Sequence, residues 1–201
     1  MRRAGSWRVT RNSSATAGPD YRVMKPLLVT GSSGHLGEAI LRLCAERDHP
    51  DLVAGPFTTH VADLRRPHEL AELSRQTRAV IHSATLHKPH VATHSRQDFV
   101  DTNVSATLAL LEAARSAGHA RFVFTSTTSA FGDALRPPPG APAAWIDESV
   151  ASVPKNIYGV TKTAAEDLCI LFARRFGLPV TVLRTSRFFP EPDDDAAVRA
   201  A

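Results

Sequence analysis

The sequence has few cysteines, no long apolar run and no internal repetition, and each shortage removes a class of protein. Two cysteines in 201 residues, Cys44 and Cys169, cannot build a disulfide framework and fit a reducing compartment. No stretch of about 18 apolar residues occurs, which argues against a membrane-spanning helix and leaves a cytoplasmic location as the expectation. No repeat of about 20–50 residues is visible, which argues against a solenoid or propeller. What remains is 43% hydrophobic and 22% charged, enough for one domain with a sizeable core.

Charge of one sign is also scarce once the amino terminus is set aside. The formal net charge is +4, and residues 1–24 carry five arginines against Asp20 alone. The rest of the chain is therefore balanced, which does not fit a nucleic-acid binder holding its charge on a folded surface. Residues 1–24 lack the apolar core of a secretory signal and lack apolar periodicity. They are read as a disordered basic tail, with Met24 the expected native start. An organellar transit peptide is the alternative that an Arg- and Ser-rich, acid-poor leader allows.

From Lys25 onward strand and helix patterns alternate. Leu27–Thr30 is a short buried run, and His35–Asp48 places Leu36, Ile40, Leu43 and Cys44 at helical spacing. Leu52–Ala54 and Val61-Ala62 read as weak strands, and Pro67–Thr77 as a helix opened by proline. Ala79–His82 is a strand, and Ser95–Ala117 a long helical pattern ended by Gly118. Arg121–Ser126 is a strand, followed by a loop whose prolines at 137, 138, 139 and 142 exclude helix and central strand. Asn156–Phe176 is a strong helix closed by Gly177, and Val180–Leu183 a last strand. This alternation predicts an α/β fold with a doubly wound parallel sheet of Rossmann type. The expected organisation is tail 1–24, domain 25–192 and tail 193–201.

Between the first strand and first helix lies Thr30-Gly31-Ser32-Ser33-Gly34-His35-Leu36-Gly37. Gly31 permits a tight turn, Gly34 lets a pyrophosphate approach the backbone, and Gly37 lets helix pack close on strand. The following helix start offers free N–H groups and a positive dipole end to that anion. An acid closing the second strand would favour NAD, but Leu52-Val53-Ala54-Gly55-Pro56-Phe57 supplies none. Asp63 either accepts from an adenine amino group or caps the helix that begins at Pro67. NAD is the expected cofactor, with NADP left open.

Tyr158 and Lys162 stand four apart on one helical face. A phenol is a poor base at neutral pH, and a neighbouring ammonium together with a positive nicotinamide ring would lower its pKa. A hydroxyl-rich segment, Phe124-Thr125-Ser126-Thr127-Thr128-Ser129-Ala130-Phe131-Gly132, leaves the carboxyl end of a strand, where open parallel sheets bind ligands. His82, His87, His90 and His94 match no compact zinc spacing, so no metal is expected and a ligand-facing loop is the reading preferred.

The glycine loop, the hydroxyl-rich strand end and Tyr158-x-x-x-Lys162, in that order, resemble the extended short-chain dehydrogenase/reductase family. Within it they resemble the NAD-dependent epimerase/dehydratase branch that includes UDP-glucose 4-epimerase. His82-Ser83-Ala84, Asn103-Val104, and Arg184 followed by Phe188-Phe189-Pro190 add to the likeness, which spans Lys25 to Glu191. The resemblance implies Tyr158 as acid/base, Lys162 as its tuner and ribose ligand, and Thr127, five residues before Gly132, as the catalytic hydroxyl. It implies cofactor contacts from Gly31, Ser33, Gly34, His35, Leu36, Gly37, Asp63, Leu64, Ser83, Ala84, Asn103 and Lys162.

Three departures matter. Thr128 and Ser129 stand where sugar dehydratases carry Asp-Glu, which leaves epimerisation or simple redox. Phe131 replaces a common tyrosine. The chain also ends just past the last strand, where the family builds a substrate lobe, so that lobe is expected to be largely absent. The function expected is an NAD(P)-dependent epimerase or oxidoreductase acting on a hydroxyl or ketone carbon of a nucleotide sugar, with no nucleic-acid or membrane partner and a homodimer conceivable. The rival is a non-catalytic dinucleotide-binding or regulatory remnant.

Overall fold

The computed structural model describes residues 26–46 and 67–186. Within them β1 (Leu27–Thr30), β2 (Ala79–His82), β3 (Arg121–Thr127) and β4 (Val180–Thr185) form one sheet in chain order, each neighbour parallel. Parallel neighbours require crossovers. The helices are α1 (His35–Glu46), α2 (Pro67–Gln76), α3 (Arg96–Phe99), α4 (Ala106–Ser116) and α5 (Ile157–Phe176). This is the parallel α/β, Rossmann-type class that the alternation predicts. The strand readings at 52–54 and 61–62, Asp63, Leu64, both tails and Phe188-Phe189-Pro190 lie outside the described residues.

Alternation along β3 shows how the sheet is covered. Phe122, Phe124 and Ser126 are buried while Arg121 is exposed and Val123, Thr125 and Thr127 are half-buried. The two phenylalanines join Leu28 and Val80 in a core completed by Leu70 and Leu73 of α2, Leu110, Leu111 and Ala114 of α4, and Ala165, Cys169 and Phe172 of α5. Each such large side chain contributes about 1.5–3 kcal/mol of burial. Helix α4 packs between α2 and α5, and α5 also lies on β3 and β4.

The single long helix expected over 95–117 is divided. Ser95 caps α3, its hydroxyl accepting from the Asp98 N–H, and residues Val100–Ser105 then widen into a π-helical stretch before α4. The widened turn carries Asn103, buried, toward the loop after β2. β3 and β4 each run further than expected, to Thr127 and Thr185, which are paired in register. That register brings Thr30, His82, Thr127 and Thr185 to the same edge of the sheet, the carboxyl edge.

Candidate active site

The carboxyl edge opens into a cleft of about 810 Å³. One wall is the glycine turn. Gly31 has φ +73°, and a Cβ there would lie 2.7 Å from the Ala84 amide nitrogen; a Cβ at Gly37 would lie 2.2 Å from the Gly31 carbonyl oxygen. Only glycine lets the turn, the start of α1 and the end of β2 close on one another. Ser33, Gly34 and His35 remain exposed at the start of α1. The chain thus offers an exposed helix N-terminus, and the first N–H groups of a helix lack intrahelical partners, which suits a pyrophosphate.

The other wall comes from β3 and α5. Asn156 caps α5, its side-chain oxygen accepting from the Gly159 N–H at 3.1 Å. A Cβ on Gly159 would meet the Ser129 carbonyl oxygen at 2.8 Å, so glycine allows the first turn of α5 to sit against the turn that follows β3. The Tyr158 phenol and the Thr127 hydroxyl both line the cleft on this wall, near enough for the hydroxyl to lower the phenol's pKa. Thr127 is itself oriented, its oxygen accepting from the Ser129 N–H at 3.1 Å.

Electrostatics on this wall are set first by burial. Burial pushes the Tyr158 phenol above its ordinary value, opposed by the nearby Thr127 hydroxyl. The Lys162 ammonium does not turn to the phenol. It donates to the Thr125 carbonyl at 2.5 Å and lies 4.1 Å from the Phe124 ring centroid. Burial lowers its pKa to about 7, against the nearby charge of Glu166, which holds it up.

Glu166, 2% exposed, is the acid that the sequence reading passed over. Ser126 donates its hydroxyl to this carboxylate, and Arg184 grips it through Nε at 3.0 Å and Nη2 at 2.7 Å. The guanidinium lies 4.7 Å from the centroid of Phe131, which packs its ring where a phenol was expected to be missing. Position 166, one turn beyond Lys162 on the same helical face, was the available signal.

The described residues of the anticipated site line this one cleft, with one exception: Gly31, Ser33, Gly34, His35, Leu36, Gly37, Ser83, Ala84, Thr127, Tyr158 and Lys162 all do. Asn103 does not. Its buried amide donates to the Leu86 carbonyl and the Thr161 hydroxyl and accepts from the Leu86 N–H, clamping the loop after β2 to α5. His87 and His90, read from the sequence as part of a ligand-facing loop, line the cleft together with Lys88, which was not anticipated, at a 3-10 turn over Lys88–Ala92. Among the described residues no group of three or more His, Cys, Asp or Glu is placed to hold a metal ion.

A profile of the NAD dependent epimerase/dehydratase family matches residues 27–198. The chain belongs to this family. Among its relatives, the UDP-glucose 4-epimerase of Rhizobium meliloti is 30% identical over 171 residues, covering 79% of this chain and 50% of that protein. The dTDP-glucose 4,6-dehydratase of Shigella flexneri is 27% identical over 206 residues, covering 82% and 56%. Of solved structures, RMD from Pseudomonas aeruginosa complexed with NADPH superposes with a TM-score of 0.67 at 28% identity, over 82% of this chain and 54% of that one. The chain spans about half the length of the curated relatives it matches. Among the described residues no helix is long and apolar enough to cross a membrane.

Proposed function

We propose that this chain binds NAD or NADP in the glycine-turn cleft and serves an epimerase or oxidoreductase reaction at a hydroxyl or ketone carbon of a nucleotide sugar. The observation that carries the reading is that the Tyr158 phenol, the Thr127 hydroxyl and the Lys162 ammonium line the same cleft as the glycine turn. Residues Gly31 to Gly37 and the start of α1 would hold the dinucleotide, and the nicotinamide, when bound, supplies hydride acceptance and return. The chain's own part is proton transfer. Thr127 hydrogen-bonds the reacting oxygen and Tyr158 exchanges its proton with it.

Burial favours the protonated phenol. In this arrangement Tyr158 is set to give a proton to a carbonyl oxygen. Removing a hydroxyl proton requires positive charge close to the phenol, and Lys162 is the cation within the same cleft wall. Dehydration is disfavoured although dehydratases are among the relatives. Thr128 and Ser129 follow Thr127, and among the described residues lining the cleft there is no carboxylic acid to protonate a leaving hydroxyl.

The test is calorimetric titration of the chain with NAD and NADP, followed by turnover of UDP-glucose in the wild type and in Tyr158→Phe. The expected result is saturable dinucleotide binding changed by no more than about threefold in the variant, with turnover down at least about 100-fold. Undiminished turnover in Tyr158→Phe overturns the assignment. Dinucleotide binding without turnover in the wild type returns the non-catalytic reading.

A further inference from the structure

Beneath both walls of the cleft runs a buried polar chain that the proposed chemistry does not use. His82, 1% exposed at the end of β2, lies between two threonine hydroxyls. Its Nδ1 is 2.7 Å from Thr30 Oγ1, and its Nε2 is 2.9 Å from Thr107 Oγ1. Thr107 donates its one hydroxyl proton to the Asn103 carbonyl at 2.7 Å, so toward His82 it acts as acceptor. The Nε2 position must then carry the proton, which leaves Nδ1 to accept from Thr30.

With its proton turned to His82, the Thr30 oxygen presents a lone pair to the Ala84 N–H at 3.3 Å. Ser83 donates its hydroxyl to the Thr30 carbonyl at 2.7 Å. Every hydroxyl in the series donates once, in one direction, from Ala84 through Thr30 to His82 and from His82 through Thr107 to Asn103. Burial keeps the ring uncharged, with a pKa lowered to about 3, and the Lys162 charge acts in the same sense. The beneficiary of this order is the contact between Ala84 and Gly31, so close that a Cβ on Gly31 would touch the Ala84 backbone.

We infer that His82 is a positioning residue: carrying its proton on Nε2, it orients the Thr30 hydroxyl, fixes the Ser83–Ala84 backbone against the Gly31 turn, and so sets the shape of the dinucleotide seat. The inference deepens the reading of the cleft as a dinucleotide site and rests on it. The function lies in one atom, the Nδ1 acceptor facing Thr30; the Nε2 donor facing Thr107 serves the packing of β2 on α4.

Two amide substitutions separate these atoms. The Asn side chain places its oxygen near the Nδ1 position, and that of Gln places its amide near Nε2. His82→Gln keeps more volume and the bond to Thr107, so it is expected to lose less thermal stability. His82→Asn leaves a cavity but keeps an acceptor for Thr30. For NAD, titrated calorimetrically at neutral pH, His82→Gln is expected to bind at least about fivefold more weakly than wild type. His82→Asn is expected to recover binding to within about twofold despite its lower Tm. A packing role alone predicts the opposite order, with affinity following Tm, and that result overturns the inference. So does equal affinity in both variants.

Hydrogen exchange at the Ala84 amide gives a reading independent of ligand. Exchange faster in His82→Gln than in His82→Asn supports the inference, and equal exchange overturns it. If the wild type binds neither NAD nor NADP, the dinucleotide reading itself falls. The Ala84 exchange then reports whether His82 orders the turn at all.

Discussion

The glycine turn at residues 31–37 is built from backbone and stands open, with Ser33, Gly34 and His35 exposed. The wall carried by β3 and α5 works through side chains, and Tyr158 and Lys162 are only 8% and 2% exposed. The first wall can attract an anion with N–H groups and a helix dipole at little electrostatic cost to the fold. The second must take a phenol, an ammonium and a carboxylate out of water. It shows the consequence in a Tyr158 pKa pushed up and a Lys162 pKa brought down to about 7, and it holds the Glu166 charge by tying it to Arg184. Damage to the first wall should therefore act through geometry, and damage to the second through charge.

The sharpest break of the geometric wall is Gly37→Ala. The new methyl would lie 2.2 Å from the Gly31 carbonyl oxygen and 2.9 Å from the Ser32 Cα, both backbone atoms that no side-chain rotation relieves. The turn must open, with an expected cost of about 3 kcal/mol. Dinucleotide affinity should fall at least about tenfold, measured by calorimetry beside urea unfolding. No pH dependence should accompany the loss, since no ionisable group has changed. A variant that keeps affinity would mean that the closeness of α1 to the turn is irrelevant to binding.

The matching break of the charged wall is Glu166→Gln. It leaves Arg184 without its carboxylate, and because the Arg184 side chain is 26% exposed it can regain water. The expected cost is about 2 kcal/mol, below that of a fully buried pair. The diagnostic readout is pH. Glu166 holds the Lys162 pKa up, so its neutralisation should move the Lys162 titration below about 7, followed by the Cε NMR shift of that lysine. The sign for stability follows. A lysine whose folded pKa lies below its unfolded value penalises folding at low pH, and the penalty is relieved as pH rises from about 7 toward about 10.5. An unmoved Lys162 titration in Glu166→Gln would show that the carboxylate acts on Arg184 alone.

The two walls were also unequally legible. The glycine turn could be read because its constraint is local: three glycines at fixed spacing between a strand and a helix carry the geometry in the sequence itself. Tyr158 and Lys162 were legible for the same reason, four residues apart on one helix, and Thr127 through its distance from Gly132. The partners that set their charge were not. Ser126 and Arg184 stand 40 and 18 residues from Glu166 in the chain and meet it through sheet packing. Spacing shows a neighbouring ammonium but not that this ammonium donates to the Thr125 carbonyl. Asn103 was picked out by resemblance as a cofactor ligand. The π-helical turn that aims it at Leu86 has no local signature.

His82 joins the two walls, and its titration gives the smallest and most specific effect. The ring is uncharged when folded, with a pKa of about 3 against an ordinary value of 6.5. The unfolded chain therefore binds a proton that the folded chain refuses between these values. The contribution is fully present above about pH 6.5 and is lost as pH falls toward 3, at a slope of at most about 1.4 kcal/mol per pH unit. Carboxylates titrate in the same range, so the useful quantity is the difference between wild type and His82→Asn. Urea unfolding at pH 7 and pH 5.5 should show the wild type losing up to about 1.4 kcal/mol more than the variant, even though the variant is the less stable protein at pH 7. Equal losses would mean that the folded chain accepts a proton on His82 without disturbing Thr30. The hydroxyl order beneath the glycine turn would then be a by-product of packing, and the two walls would stand independently of one another.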